Sequence, residues 1–191
     1  AAIVHSSALQ ANGFNNVTDI MANIAILIGL RLARIPADSD HVYGHWKIES
    51  IASLISSFIM FFVGFEVLRE TVMTLLSGKE EAIDPLGALV GLFSAFVMLG
   101  VYLYNRALAK KTNSQALSAA SKDNLSDAVT SIGTVVAILA SSVGWEWLDT
   151  AMAVVICGFI LKTAYDIFHE SVFSLSDGFD ENLVEEYREA I

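Results

Sequence analysis

The chain has 191 residues, 54% hydrophobic and 17% charged, with a formal net charge of −10 and a mean hydropathy of +0.57. A soluble domain carries nearer a quarter charged residues, so the composition argues against that class, and the few basic residues argue against a nucleic-acid partner. Two prolines and a single cysteine, Cys157, exclude a disulfide scaffold.

In chain order, residues 1–7 read as the end of an earlier helix, since they have neither an initiator Met nor a charged n-region of a signal peptide. Residues 13–30, interrupted only by Asp19 and a few amides, predict a first membrane span. Residues 50–65 predict a second, extendable to Leu68 if Glu66 faces protein or the interface. Residues 86–104 carry no charge and approach the roughly 20 helical residues that a bilayer core requires. Residues 128–145 predict a fourth span. Residues 148–168 predict a fifth, in which Lys162 and Asp166 stand one turn apart, a spacing at which they could pair. The predicted fold is therefore an all-α membrane protein, an antiparallel transmembrane helix bundle. Residues 1–176 form its transport domain. Residues 177–191, polar with Leu183, Val184 and Tyr187 at helical spacing, read as the start of a soluble C-terminal domain.

Basic residues orient such a bundle by gathering on the cytosolic side. Arg31, Arg34 and Lys47 flank the first connection, and Arg106, Lys110 and Lys111 the third. The second connection has Lys79, with Arg69 nearby, and the fourth has no Lys or Arg. The first and third connections and the tail after Ser176 are therefore expected in the cytosol, with Trp145 and Trp147 at the outer interface.

Ionisable groups within a span are costly and mark function by default. Asn15 and Asp19 lie four residues apart on the first span, on one helical face and about 6 Å apart along the axis. Asp123 and Asp127 repeat that spacing at the fourth span. Counted from the cytosolic ends, the acids of these two antiparallel helices reach the same depth. Three acids so placed, with no Lys or Arg expected in the same turns, repel one another unless a cation neutralises them, which predicts a metal site formed by Asn15, Asp19, Asp123 and Asp127. Asn12, Asn16, Asn23 and Asn124 are alternatives for the amide, and only the i,i+4 spacing favours Asn15. The set is all oxygen. Zinc is most at home with His and Cys, whereas carboxylate and carbonyl oxygens suit Mg, Ca and Mn; Mn2+ is accordingly favoured over Zn2+. A second candidate metal site, Asp38, His41 and His45, supplies one carboxylate and two imidazoles within eight residues of the first connection.

These segments resemble the cation diffusion facilitator family. The resemblance rests on His5-Ser-Ser-Ala-Leu, on Ala11-Asn-Gly-Phe-Asn-Asn-Val-Thr-Asp-Ile, on the long run from Pro36 through His45 to Ser50, and on Ser121-Lys-Asp-Asn-Leu-Ser-Asp-Ala. It implies a homodimer with six transmembrane helices and a cytosolic ferredoxin-like C-terminal domain, of which this chain holds helices two to six. The transport site implied on helices two and five falls on Asn15, Asp19, Asp123 and Asp127. Zinc-transporting members typically have Asp at the first and His at the third of these positions. Asn15 and Asp123 depart from that pattern and resemble the manganese-exporting branch. The loop site implied by the family maps onto Asp38, His41 and His45, and an interlock is implied between Lys47 and Asp177 at the cytosolic side of the dimer. A bacterial plasma membrane is the implied location, with the C-terminus cytosolic.

The expected function is divalent metal export, Mn2+ exchanged for protons by alternating access, with no cofactor apart from the transported ion. Zinc, iron or cobalt export by the same family and a passive divalent-cation channel are the alternatives. A structural membrane subunit is a third, and would bind no metal at the aspartates. An enzyme is not expected, because neither a nucleophile nor a general base stands near His41 and His45.

Overall fold

The computed structural model describes the backbone of residues 7–77, 85–142 and 144–178, and the side chains of 20–76, 88–140 and 144–178 apart from 146 and 149. The expected helix tail at 1–6 and domain start at 179–191 lie outside the described residues. Among the described residues five helices follow one another: α1 (Ser7–Leu32), α2 (Lys47–Ser77), α3 (Pro85–Thr112), α4 (Gln115–Ser142) and α5 (Glu146–Leu175). The shortest has 26 residues and the longest 31, so at 1.5 Å per residue each runs roughly 40 Å or more. The expected all-α bundle is what forms.

Among the described residues three helices are long and apolar enough to cross a membrane, over Lys47–Leu76, Ala88–Thr112 and Thr150–Leu175. α1 contributes a shorter apolar stretch, Ile20–Leu32. α4 falls short because serines, Lys122, Asp123 and Asp127 occupy its first half. That half belongs to the same helix: α4 begins at Gln115, well before the expected span at 128. Asn113 takes a left-handed φ of 51° between α3 and α4, a conformation asparagine tolerates. Ser114 then caps α4, its hydroxyl accepting the Leu117 N–H at 3.1 Å.

α1, α2, α5 and α4 close into a ring, with α2 also touching α4 across it; α3 packs on α4 and, among the described residues, on no other helix. Small residues bring the ring together. Ala116, Ala119, Ala128, Ala164, Ser53, Ser57 and Ser171 are buried almost completely, as expected where helices must approach closely. Gly29 lies so close to the Ala52 methyl that a side chain there would collide with it. One apolar cluster joins Met60, Ala119, Ile156, Ile160, Ala164 and Ile167, and another sets Ile26 of α1 against Ala116 and Ala120 of α4. The outer faces, including Phe62, Leu89, Phe93, Phe96 and Leu103, are large, apolar and exposed. A bilayer supplies the apolar solvent such faces require.

The pairing that spacing allows between Lys162 and Asp166 is not formed; the ion pairs among the described residues do not include it. Lys preceding Asp at i,i+4 is the weaker orientation of such a pair. Glu66 instead meets Arg69 at 2.7 Å on an exposed face of α2.

Candidate metal centres

Inside the ring lies a cavity of about 30 Å³, lined by Ala22 of α1, Ser56, Ile59, Met60 and Val63 of α2, Asp123, Ser126 and Asp127 of α4, and Ile160 of α5. It has room for about one water-sized group. Asp123 and Asp127, expected at a metal site, thus share one cavity, which follows from their i,i+4 spacing on one face of α4. Both are partly buried, and both interact with neighbours in the protein. Asn15 and Asp19 belong to α1, but their side chains lie outside those described. Their positions precede Ala22 by seven and three residues, and Asp19 precedes Ile26 by seven. These four positions therefore occupy one stripe of the α1 backbone, the stripe on which Ala22 lines the cavity and Ile26 meets α4.

Two side chains beside the cavity are accounted for elsewhere. The Asn124 amide donates to the Ala120 carbonyl of its own helix at 2.6 Å. Lys122, a cation in the same turn as Asp123, pairs with Glu170 of α5 at 2.5 Å. The expectation that no basic residue shares a turn with these acids therefore fails at Lys122. Lys122 lines an outer groove with Tyr165, Asp166, His169 and Glu170.

The loop cluster is built locally. Asp38 Oδ1 accepts the N–H groups of Asp40 at 3.0 Å and His41 at 2.7 Å, an Asx-type turn. The turn continues through Gly44, whose φ of 81° suits glycine and whose N–H donates to the His41 carbonyl. His41 Nδ1 stands 3.3 Å from Asp38 Oδ1, and His45 Nε2 stands 3.7 Å from Asp38 Oδ2. The two imidazole rings are 4.2 Å apart between centroids. One ligand atom from each of the three residues lies within 4.8 Å of the others. The His41 N–H, more than any other group, holds the Asp38 carboxyl below its ordinary value. His45 is largely buried, and its Nδ1 has no hydrogen-bond partner among the described residues. The three groups expected to form a metal site are thus gathered at chelating separations.

Immediately after this loop, α2 starts with a polar junction that sequence reasoning largely missed. Lys47 Nζ lies 2.6 Å from Asp177 Oδ1 and 3.5 Å from the Leu175 carbonyl, joining the start of α2 to the end of α5 within one chain. Glu49 Oε1 accepts from Ser114 Oγ at 2.5 Å and from the Ala116 N–H at 3.0 Å. It thereby neutralises the positive end of α4, where a carboxylate is favoured. Ser50 Oγ donates to Gln115 Oε1 and meets Ser174 Oγ at 2.9 Å. Glu49 and its partners on α4 are 65 and 67 residues apart, a separation at which no spacing rule gives a signal.

Residues 1–176 match the family model described as the cation efflux transmembrane domain. The chain is 50% identical over 189 residues to the manganese efflux system protein MneS of Bacillus subtilis (strain 168), covering 99% of this chain and 65% of that protein. It is 30% identical over 195 residues to the manganese efflux system protein MneP of the same organism, covering 97% and 65%. It is 31% identical over 180 residues to the cation-efflux pump FieF of Shewanella oneidensis, covering 90% and 58%. The chain thus spans about 65% of the length of the first two relatives.

Proposed function

The chain belongs to the cation efflux family of membrane transporters, and on that premise we propose that it exports a divalent metal cation, Mn2+ in preference to Zn2+, in exchange for protons. The observation that carries this reading is the cavity. Asp123 and Asp127 line it from α4, opposite the stripe of α1 that holds positions 15 and 19. In our reading Asn15, Asp19, Asp123 and Asp127 bind the cation as substrate. Two relatives named for manganese efflux support the choice of ion, as does a ligand set of oxygens alone.

Protons and the cation compete for the same carboxylates, so binding one displaces the other. Alternating exposure of the cavity to the two sides then couples their opposite movements. Asp38, His41 and His45 form a second, loop-borne metal site. The active unit in this proposal is a homodimer in the bacterial plasma membrane. Residues 1–176 form the transmembrane domain, and 177–191 lead into a soluble domain on the cytosolic side. The basic residues near the loop end of the bundle, Arg31, Arg34, Lys110 and Lys111 among them, support that orientation.

Mn2+ uptake into inverted vesicles tests the reading. Asp127→Ala and Asp19→Ala are each expected to abolish uptake in protein that still folds and inserts, and an imposed proton gradient is expected to change the wild-type rate. Unchanged uptake in either variant would refute the site. Uptake indifferent to the proton gradient would mark a passive channel.

A further inference from the structure

Serine in a helix often donates its hydroxyl to a carbonyl one turn back, and four of the buried serines here do so. Ser53 donates to Glu49, Ser57 to Leu54, Ser121 to Ser118 and Ser171 to Ile167, at 2.7–3.1 Å. Ser126 does not. It is 2% exposed, and its Oγ is buried with no hydrogen-bond partner among the described residues. Ser56, also 2% exposed, takes part in none of the hydrogen bonds found among those residues. Both side chains line the aspartate cavity, Ser56 from α2 and Ser126 from α4. A buried hydroxyl without a partner is costly, and groups left in that state call for an explanation. Ser126 is such a group, and Ser56 lines the same cavity, which has room for at least one water.

We infer that Ser126 and Ser56 form a water-holding shell at the transport site, their hydroxyls hydrogen-bonded to water that remains on the cation. The inference rests on the transport reading above and deepens it by naming the hydration state of the substrate. Four side-chain ligands leave an octahedral cation short of its preferred coordination, and retained water completes it. Zinc is content with four ligands in a tetrahedron and draws little from such water. The serines therefore contribute to selectivity for manganese without touching the metal, as positioning residues.

The test is Mn2+ uptake into inverted vesicles, with Zn2+ as competitor, for wild type, Ser126→Ala, Ser56→Ala and Asp127→Ala. Ser126→Ala is expected to raise the KM for Mn2+ by up to about tenfold, the worth of one hydrogen bond. The Zn2+ concentration that halves uptake should stay the same or fall. Ser56→Ala should move both quantities in the same directions, and it decides the matter if Ser126→Ala fails to insert. A merely structural role would lower the amount of active protein and leave the ratio of the two metals unchanged. An unchanged KM, or equal shifts for both metals, overturns the water shell alone, provided that wild type transports Mn2+ and Asp127→Ala does not. Absence of Mn2+ uptake by wild type overturns the transport reading and this inference together.

Discussion

The loop cluster and the helix cavity are both candidate metal centres, yet they are made in opposite ways. Asp38, His41 and His45 come from eight consecutive residues, held by a turn that Asp38 itself organises. The cavity takes side chains from four helices, and they span more than a hundred residues of sequence, from Ala22 to Ile160. The loop cluster is half-exposed and offers two imidazoles; the cavity offers carboxylates and hydroxyls within the bundle. Exposed imidazole and carboxylate ligands can exchange metal with solvent at little cost. Carboxylates enclosed among helices must be neutralised by whatever occupies the site. The difference teaches that a charge becomes a transport device through its surroundings as much as through its ligand type.

The largest effect that would sharpen this comparison is to give the cavity the chemistry of the loop. Asp123→His should turn the preference between Zn2+ and Mn2+ toward zinc by about tenfold or more, read from competition in the vesicle assay. A variant that keeps the wild-type preference breaks the argument from ligand type. Next, His45→Ala should weaken metal binding at the loop by about tenfold or more while Mn2+ uptake through the cavity persists, as measured by equilibrium dialysis beside transport. The pH dependence of the loop site sharpens that test. The Asp38 carboxyl is held low, so its contribution to the turn is present above its ordinary range and is lost only as pH falls through the lowered value. Loss of loop metal on mild acidification is therefore not assigned to Asp38. The smallest expected effect lies between the two centres. Glu49→Gln keeps the shape of the side chain that caps α4 but removes its charge, and should cost about 1–2 kcal/mol, read as a lowered midpoint of thermal unfolding with the metal preference unchanged.

How legible each region was follows from the same contrast. The spans of α2, α3 and α5 announce themselves as apolar runs, and the loop cluster could be read because its ligands are sequence neighbours. α4 was read too short because Lys122, Asp123, Asp127 and several serines dilute its hydropathy where the protein needs polar groups. The pairing of Asp123 with Asp127 could be read from the helical repeat. The facing of Ser56 and Ser126 could not, since no local pattern relates positions 70 residues apart on two helices. Lys122 was overlooked because its partner, Glu170, lies 48 residues away. The Lys162–Asp166 pairing fails for a different reason, since the helical repeat suggests it without regard to the order of the two charges.

One feature of the architecture bears on how such a protein would respond to its surroundings. α3 leans on α4 and on no other described helix, and it exposes Leu89, Phe93, Phe96 and Leu103. If the proposed transport cycle shifts α4, α3 must travel with it and push aside acyl chains rather than other described helices. The lipid is then the load on the helix that bears Asp123 and Asp127. Under that proposal bilayer thickness, which exacts a cost for each ångström of mismatch, becomes a mechanical input to the cycle.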